Sequence, residues 1–274
     1  MKTRRLAFLG PEGTFSEQAA VAYAPAAELI AAPSIAAVTQ AVIEGTADEA
    51  IVPIENSLVG AVNETLDLLI HQLTLKIRAE VVLPIVHCVI GAAGTRFEDV
   101  RVVYSKPEAL GQCARFLAEG LPQAETRPAL STAGAVGQAL ETDDAVAIAP
   151  EAAAALHGAT VLRVGVQDDD RNKTRFVVLS QDDAEPTGDD KTSLVIATLD
   201  VPGALVKVLL PFAEAGIDLT KIESRPAKEE LGTYVFLVDC AGHRADPVVV
   251  GVLRAVEDQT TLLKLLGSYP RYEG

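Results

Sequence analysis

The sequence predicts an α/β protein with two similar lobes, followed by a smaller domain of the ferredoxin-like type. Residues 1–180 alternate short apolar runs with helical stretches, a pattern typical of parallel α/β sheets. The pattern occurs twice, because Val-Thr-Gln-Ala-Val at 38–42 resembles Val-Gly-Gln-Ala-Leu at 136–140. Residues 192–274 instead predict the order βαββαβ, which is the ferredoxin-like unit. Two halves of one continuous sheet are the alternative to two lobes.

The first lobe is predicted to open with a strand over residues 4–9. Thr14 and Glu17 stand three residues apart in a capping-box pattern, which predicts that a helix begins there. An apolar run follows over residues 27–31. Ser34 is predicted to cap a helix that ends at residue 44, and residues 50–54 predict a buried strand.

The second lobe repeats this arrangement. A strand is predicted over residues 100–104, and Ser-Lys-Pro-Glu at 105–108 has the spacing of a second capping box. Ser131 is predicted to cap a helix that ends near residue 140, and residues 145–148 form another apolar strand. Ligands of such lobes belong at the carboxyl ends of the strands, in the crevice between the two units.

A linker is predicted over residues 181–190, because this segment has five acids, one proline and one glycine and little to bury. The net charge also changes there. Residues 191–274 carry 9 basic and 11 acidic residues, a net charge of −2 out of −15 for the whole chain. We therefore predict one domain over residues 1–180 and another over residues 191–274.

The C-terminal domain is predicted from four apolar strands and two helices. Its first helix is predicted to start at Pro202 and Gly203, and a turn is predicted at residues 230–232. The strands are expected at 193–199, 217–224, 233–240 and 262–265, and the helices at 203–215 and 247–258.

Composition excludes several classes of function. A net charge of −15, with 4% aromatic residues and no Trp, argues against nucleic-acid binding, so an anionic ligand must be held by a local site. No run approaches the ~18 apolar residues of a membrane span. The apolar run near the N-terminus is too short for a signal peptide.

Cysteine and histidine usage points to a reducing compartment and to no metal. Cys88, Cys113 and Cys240 are an odd, sparse set rather than a disulfide framework, which favours the cytoplasm. The four histidines show no metal-ligand spacing with these cysteines, and no dinucleotide fingerprint, phosphate-cradling loop or nucleophile elbow occurs. We therefore expect no cofactor.

Four polar loops are candidates for the binding site. The first, over residues 10–16, places Gly10, Gly13 and Thr14 between a strand and a helix. Glycines allow close backbone approach, and free N–H groups at a helix start favour an anion. A plain strand-to-helix turn is the alternative.

The second and third loops carry small neutral donors. Asn56 and Ser57 follow a buried strand of the first lobe, and Ser131 and Thr132 mirror them from the second. These donors can bind a carboxylate. Capping of the following helices is the alternative, and at Ser131 and Thr132 both roles can coexist because a cap residue leaves nearby N–H groups free. Glu55 is interpreted as an ion-pair partner rather than an acid or base.

The fourth loop ends in Thr174, Arg175 and Phe176, directly before an apolar strand at 177–180. A Thr hydroxyl can donate a proton or a hydrogen bond to a leaving oxygen while the neighbouring Arg holds a carboxylate. The residues alone therefore indicate a two-lobed binder of a small anion, and they do not identify the anion.

Taken together, these motifs resemble those of the prephenate dehydratase family over nearly the whole chain. One departure is Lys106, where the family often has His; because it falls within the predicted helix cap, we expect little effect on the chemistry. The shared motifs are Gly-Pro-x-Gly-Thr-Phe-Ser at 10–16, Pro-Ile-Glu-Asn-Ser-x-x-Gly at 53–60, His-Cys at 87–88, Ser-Thr-Ala at 131–133 and Asp-x-x-x-Asn-x-Thr-Arg-Phe at 168–176.

The resemblance implies two lobes similar to type-2 periplasmic binding proteins, and conversion of prephenate to phenylpyruvate, water and CO2 without a cofactor. In this reading Thr174 assists the departing hydroxide, Arg175 clamps a carboxylate and Phe176 packs near the ring. The substrate-binding residues that it implies are Gly10, Gly13, Thr14, Asn56, Ser57, Ser131 and Thr132.

The C-terminal domain resembles an ACT domain, a ferredoxin-like amino-acid sensor. The resemblance implies feedback inhibition by phenylalanine bound between the subunits of a homodimer or homotetramer. Helix initiation is the alternative role for Gly203, and a surface charge is the alternative for Arg225. The implied phenylalanine-binding residues are Gly203, Ala204, Leu205, Glu223, Ser224, Arg225 and Pro226.

Two other functions stay open at this point. An arogenate dehydratase would perform the same chemistry on the aminated substrate, and the motifs do not separate it from the first reading. A non-catalytic sensor of a small anion or amino acid would use the same crevice, although the intact run from Thr174 to Phe176 argues against it.

Overall fold

Apolar strands flanked by helices build the first lobe in the computed structural model, which describes residues 3–227 and 234–272. Its strands are β1 (Arg5–Leu9), β2 (Glu28–Ala32), β3 (Glu49–Asn56), β4 (Gly60–Ala61), β5 (Lys76–Pro84) and β11 (Lys173–Ser180). Its helices are α1 (Phe15–Tyr23), α2 (Ile35–Ile43) and α3 (Asn63–His71). The strand order is β2-β1-β3-β11-β5, with β4 paired to β3, and β1 runs parallel to both neighbours.

A second, separate sheet builds the second lobe, so the alternative of one continuous sheet is wrong. Its strands are β6 (Cys88–Gly91), β7 (Val102–Ser105), β8 (Glu125–Pro128), β9 (Ala145–Ala149) and β10 (Thr160–Val164), in the order β10-β6-β9-β7-β8. Its helices are α4 (Pro107–Gln112), α5 (Ala114–Gly120), α6 (Thr132–Leu140) and α7 (Glu151–His157), with a 3₁₀ turn at Phe97–Asp99. β9 is buried at every residue, as expected for a central strand covered on both faces.

The internal repeat is confirmed at the level of helix starts. Ser34 caps α2 and Ser131 caps α6, and each helix has nine residues. The second predicted capping box is wrong, because Ser105 ends β7 and donates to the carbonyl of Ile148 at 2.5 Å, fully buried. Lys106 takes the cap position of α4 instead, without a side-chain cap bond.

The C-terminal sheet has the predicted ferredoxin-like order and is antiparallel throughout. It contains β12 (Asp190–Ala197), β13 (Leu219–Pro226), β14 (Tyr234–Ala241) and β15 (Leu262–Pro270), in the order β13-β14-β12-β15. The helices α8 (Ala204–Glu214) and α9 (Pro247–Glu257) share an apolar core with it. The turn predicted at residues 230–232 lies outside the described residues.

The chain divides into two compact units, and the division differs from the one predicted at residues 181–190. One unit comprises Met1–Thr65 and Val81–Phe176, and the other comprises Leu66–Glu80 and Val177–Gly274. A segment from within the first 180 residues therefore belongs with the C-terminal sheet. Local composition predicts a linker, but it does not reveal which sheet a distant segment packs against.

The long cationic side chain of Lys264 binds the segment 66–80 within that second unit. Lys264 Nζ donates to the carbonyls of Leu69, Ile70 and Leu73 at 2.7, 3.1 and 2.8 Å, and so satisfies acceptors at the C-terminal end of α3 and just beyond it. Burial, with a smaller contribution from Lys76, lowers the pKa of Lys264.

A close backbone approach explains one glycine of β15. A Cβ on Gly267 would lie 2.1 Å from the carbonyl oxygen of Ile77, so any side chain there would push the two backbones apart. Among the described residues, no helix combines the length and the apolar character needed to cross a bilayer.

Candidate active site

A cavity of about 600 Å³ lies within the first compact unit, and residues from both lobes line it. The first lobe contributes Thr14, Asn56 and Thr174, and the second contributes Lys106 and Ser131. The volume is in the range of small-molecule sites. The cavity therefore agrees with the crevice expected between two α/β units.

Three helices direct their N-termini at this cavity, because the cap residue of each one lines it. Thr14 accepts from the amide of Glu17 at 3.4 Å, Ser34 from that of Ala37 at 3.1 Å, and Ser131 from that of Gly134 at 2.9 Å. The first amides of a helix have no intrahelical partner, and the helix dipole is positive there. The cavity is therefore suited to an anion although the whole chain is acidic.

Thr174 lies inside β11 rather than in the loop predicted before it. Its side chain is 9% exposed and faces the cavity, as does that of Phe176 two residues later. Asn56 Nδ2 donates to Thr174 Oγ1 at 3.0 Å. Since this bond uses a lone pair of the hydroxyl, the hydroxyl proton stays available for a group in the cavity.

Arg175 does not line the cavity. Successive side chains of a strand point to opposite faces, so an arginine between two cavity residues faces away. Its guanidinium lies 3.8 Å from the carboxylate of Glu55, which supports the ion-pair role expected of Glu55. The carboxylate clamp implied for Arg175 therefore gains no support from its position.

A polar network continues from Asn56 to His87. Asn56 Nδ2 donates to Asn172 Oδ1 at 2.8 Å, Asn172 Nδ2 donates to Gln112 Oε1 at 2.9 Å, and His87 Nε2 lies 2.8 Å from that same oxygen. Because an amide oxygen only accepts, the proton of His87 is on Nε2. Burial lowers the pKa of His87, although the bond to Gln112 opposes the shift, so the ring is neutral near pH 7.

Within the described part of the chain, His87 also has a buried nitrogen without a hydrogen-bond partner. Its side chain lines the cavity and packs edge-on against the ring of Phe15, 5.5 Å between centroids. Nδ1 has no hydrogen-bond partner in the described part of the chain. The sequence analysis named His87 only within the shared His-Cys motif, because the distant partners of an isolated histidine are not visible in local spacing.

The remaining predicted site residues fall into two groups. Gly10 and Thr132 line the cavity, but Gly13 and Ser57 do not. The amide of Gly13 donates to Glu17 Oε2 at 2.6 Å, which is a variant of the predicted capping box. Ser57 Oγ donates to the carbonyl of Arg171 at 3.0 Å and so fastens the segment before Thr174.

Asn56 does not cap the helix that follows it, as the capping alternative required. Its Oδ1 accepts from the amides of Leu58 and Val59, each at 3.0 Å, which closes a turn before β4. Both ends of this amide are therefore committed, one to the turn and one to Thr174. Its orientation is fixed from both sides.

Charged residues in the cavity were missed at the sequence level. Lys106, Glu108 and Glu64 line it, and among the described lining residues Lys106 is the single Lys or Arg. Lys106 Nζ lies 3.9 Å from Glu108 Oε2, and both side chains are about half exposed. Lys106 could have been predicted as a site residue from its position directly after a strand, because ligands bind at the carboxyl ends of such strands.

The predicted regulatory segments lie in the second unit. Gly203 is the N-cap of α8, with φ of +83°, so helix initiation is confirmed as one of its roles, and Ala204 and Leu205 open the helix. The segment from Glu223 to Pro226 ends β13, the edge strand of the described sheet. Arg225 is not a free surface charge, since it donates to Asp67 Oδ1 at 3.1 Å.

No group of three or more His, Cys, Asp or Glu side chains that could hold a metal ion occurs among residues 3–227 and 234–272. The described cysteines are buried, and burial raises the pKa of Cys113 and of Cys240 to about 12, with a smaller contribution from a neighbouring Asp in each case. These thiols are therefore packed groups rather than nucleophiles.

Comparisons with known proteins agree with this geometry. The family model described as prephenate dehydratase matches residues 6–184, and the model described as ACT domain matches residues 192–258. A protein of Mycobacterium bovis named prephenate dehydratase is 41% identical over 278 residues, covering 97% of this chain and 87% of that protein.

Two solved structures share the fold over nearly the whole chain. The crystal structure of a prephenate dehydratase in complex with L-Phe from Arthrobacter aurescens has a TM-score of 0.89 at 36% identity, covering 97% of this chain and 90% of that one. The structure of GqqA, described as a novel type of quorum-quenching acylase, has a TM-score of 0.89 at 30% identity, covering 98% and 99%.

Proposed function

This chain belongs to the prephenate dehydratase family and carries a C-terminal ACT domain, and we propose that its two-lobed cavity converts prephenate to phenylpyruvate, water and CO2. The observation that carries the proposal is the hydrogen bond from Asn56 to Thr174 at the wall of an anion-binding cavity. It supplies the donor that the reaction requires at its leaving group.

The reaction needs little from the protein besides help for that leaving group. The bond between the ring and its carboxylate breaks, and its electron pair completes the aromatic ring. The C–O bond opposite breaks, and the departing hydroxide takes up one proton from solvent to become water. The dianion thus becomes the phenylpyruvate anion, CO2 and water, without a redox step.

Thr174 is the group that we assign to the departing oxygen. A free threonine hydroxyl is a very weak acid, so its main contribution is a hydrogen bond that strengthens as negative charge develops on the oxygen. Asn56 keeps the hydroxyl proton directed away from itself, because the amide of Asn56 is a donor at this contact. Phe176, on the same face of β11, supplies an apolar surface for the ring.

Neutral donors bind the ring carboxylate of the substrate, the one that is lost as CO2. The helix N-termini capped by Thr14, Ser34 and Ser131 supply amides and positive dipole ends. A neutral His87 adds no charge to the cavity. An environment of this kind binds a carboxylate without the strong ion pair that would oppose its loss as CO2.

The test is an assay of the purified full chain with prephenate, followed by the absorbance of phenylpyruvate. We expect turnover with no added cofactor. A parallel assay with arogenate, followed by phenylalanine formation, distinguishes the aminated substrate. Failure with both substrates, together with release of acid from an N-acyl substrate, would favour acylase chemistry, the activity in the name of the GqqA structure.

Phenylalanine is proposed as the feedback inhibitor, bound at Gly203–Leu205 and at Glu223–Pro226. The related structure in complex with L-Phe supports this assignment. Arg225 joins the second of these segments to Asp67 of α3, so a ligand that moves β13 acts directly on a helix of residues 63–71. A regulatory ligand acts by binding one conformation better than another, and a contact of this kind can differ between the two conformations.

The same segments support a homodimer or homotetramer. β13 is an edge strand of the described sheet, and Val201 and Val206 next to Gly203 expose more than half of their side chains. An edge strand and an apolar patch are surfaces that a second copy covers. We also propose a cytoplasmic location, because the three free cysteines fit a reducing compartment.

A further inference from the structure

We propose that Lys106 binds the side-chain carboxylate of prephenate, the one that survives the reaction, and not the ring carboxylate that is lost. This inference rests on the proposed function and assigns a residue that the sequence analysis had dismissed as part of a helix cap. Two observations lead to it: Lys106 is the cation that lines the described cavity, and the reaction removes the charge of the ring carboxylate.

The described lining of the cavity offers one formal positive charge to a dianion. Among the described residues that line the cavity, Lys106 is the single Lys or Arg, while Glu64 and Glu108 are both acidic. Arg175 faces away and pairs with Glu55. The helix N-termini offer partial charges, and each is weaker than a full ammonium charge. Lys106 is therefore the strongest electrostatic contact for one carboxylate.

Lys106 is free to make that contact. Among the described residues its ammonium group has one long contact, of 3.9 Å with Glu108, and its side chain is 46% exposed. It stands between β7 and α4, at the carboxyl end of a strand, and it supplies no cap bond to the helix. The residue before it, Ser105, is held rigidly by its bond to Ile148. The flexible side chain of Lys106 thus extends from a fixed backbone position.

The chemistry decides which carboxylate it takes. The ring carboxylate loses its charge as CO2 forms, so a cation bound to it would stabilise the substrate more than the transition state and slow the reaction. The carboxylate of the oxo-acid side chain keeps its charge throughout. A cation bound to that group stabilises substrate, transition state and product alike, and so lowers KM without changing kcat.

The test compares wild type with Lys106→Met and Lys106→Arg. For Lys106→Met we expect KM for prephenate to rise about 5- to 50-fold, the range for loss of a partly exposed charged hydrogen bond. We expect kcat to change by less than about threefold, since uniform binding energy is what is lost. Lys106→Arg keeps the charge and should restore KM to within about threefold of wild type.

Phenylpyruvate identifies the carboxylate, because the product retains only the side-chain group. Its inhibition constant, measured by CO2 release from prephenate, should rise in Lys106→Met by the same factor as KM. Arg96→Met is the matched control, since it removes one positive charge from the same lobe at a 70% exposed side chain outside the cavity. That variant should leave both constants unchanged.

A raised KM with an unchanged inhibition constant would overturn the assignment to the side-chain carboxylate. A loss of kcat at unchanged KM would also overturn it, and so would an Arg96→Met variant that behaves as Lys106→Met does. If wild type turns over prephenate and Lys106→Met is indistinguishable from it, this inference fails while the proposed function stands. If wild type does not turn over prephenate, both fail.

Discussion

Asn56 Nδ2 donates to Thr174 Oγ1 across a separation of 118 residues, at 3.0 Å. The amide oxygen of the same Asn56 is held by the amides of Leu58 and Val59, so the side chain cannot turn over without losing both of these bonds. The hydroxyl of Thr174 therefore accepts from a fixed donor and presents its own proton to the cavity. Positioned donors of this kind account for a large part of catalysis in many enzymes.

The first prediction concerns Thr174. Replacement of Thr174 by Ala should lower kcat by roughly 10²–10⁴-fold, the contribution of a positioned proton donor, with little change in KM. Thr174→Ser keeps the hydroxyl and should retain much of the activity. Steady-state kinetics with prephenate measure both. A near-normal kcat for Thr174→Ala would remove this residue from the mechanism.

The second prediction concerns the direction of that hydroxyl. In Asn56→Asp a carboxylate oxygen replaces the amide donor, so the Thr174 proton should turn toward residue 56 and away from the substrate. We expect kcat to fall by about 10²-fold, the cost of a misdirected catalytic group. Ser57→Ala, which loses only contacts outside the cavity, should lower kcat less. Equal losses in the two variants would contradict this role of Asn56.

The third prediction concerns pH and stability. Burial lowers the pKa of His87 in the folded state below its ordinary value of 6.5, so the unfolded chain binds the proton more readily. The free energy of unfolding should therefore fall as the pH drops below about 6.5, until the folded pKa is reached. His87→Gln should flatten this slope, whereas His157→Gln, at an exposed position, should keep it. Urea unfolding at several pH values gives the comparison, and an unchanged slope in His87→Gln would refute it.

The fourth prediction concerns Gly203. Its open surroundings and left-handed φ of +83° leave room for a ligand at the start of α8, and a valine would fill that room. Gly203→Val should therefore abolish inhibition by phenylalanine while sparing turnover in its absence. Phenylalanine titrations of wild type and variant provide the measurement.

A matched control separates lost binding from backbone strain in that experiment. Gly188 also has a positive φ, of +97°, and open space around it, so Gly188→Val introduces a similar strain of roughly 1–3 kcal/mol. Gly188 lies outside both predicted phenylalanine-binding segments. Inhibition should therefore persist in Gly188→Val, and its loss in both variants would point to strain instead of a ligand contact.

Local patterns in the sequence determined most of the secondary structure. The cap residues Thr14, Ser34 and Ser131 were predicted from spacing alone, because a cap bond joins groups only three residues apart. The order of strands and helices in the C-terminal domain likewise follows from apolar periodicity. Local spacing failed at Ser105, because its hydroxyl donates to the carbonyl of Ile148, 43 residues away, and does not cap a helix.

Strand boundaries decided which residues of the Thr-Arg-Phe motif face the cavity. The sequence predicted the start of the strand at 177, whereas β11 begins at Lys173. A strand that includes Thr174 turns Arg175 to the opposite face, next to Glu55. The alternation of side chains at 174–176 could be read from the sequence. That these residues belong to the strand depends on pairing with neighbouring strands.

The sequence by itself determined the fold class, the helix caps and the motifs of the family, because these depend on short-range spacing and on composition. Only the tertiary structure decided that Asn56 orients Thr174, that Lys106 is the cation of the cavity and that residues 66–80 belong with the C-terminal sheet. Each of these depends on groups far apart in the chain. Their contact is set by how the sheets and helices pack, and no local pattern encodes it.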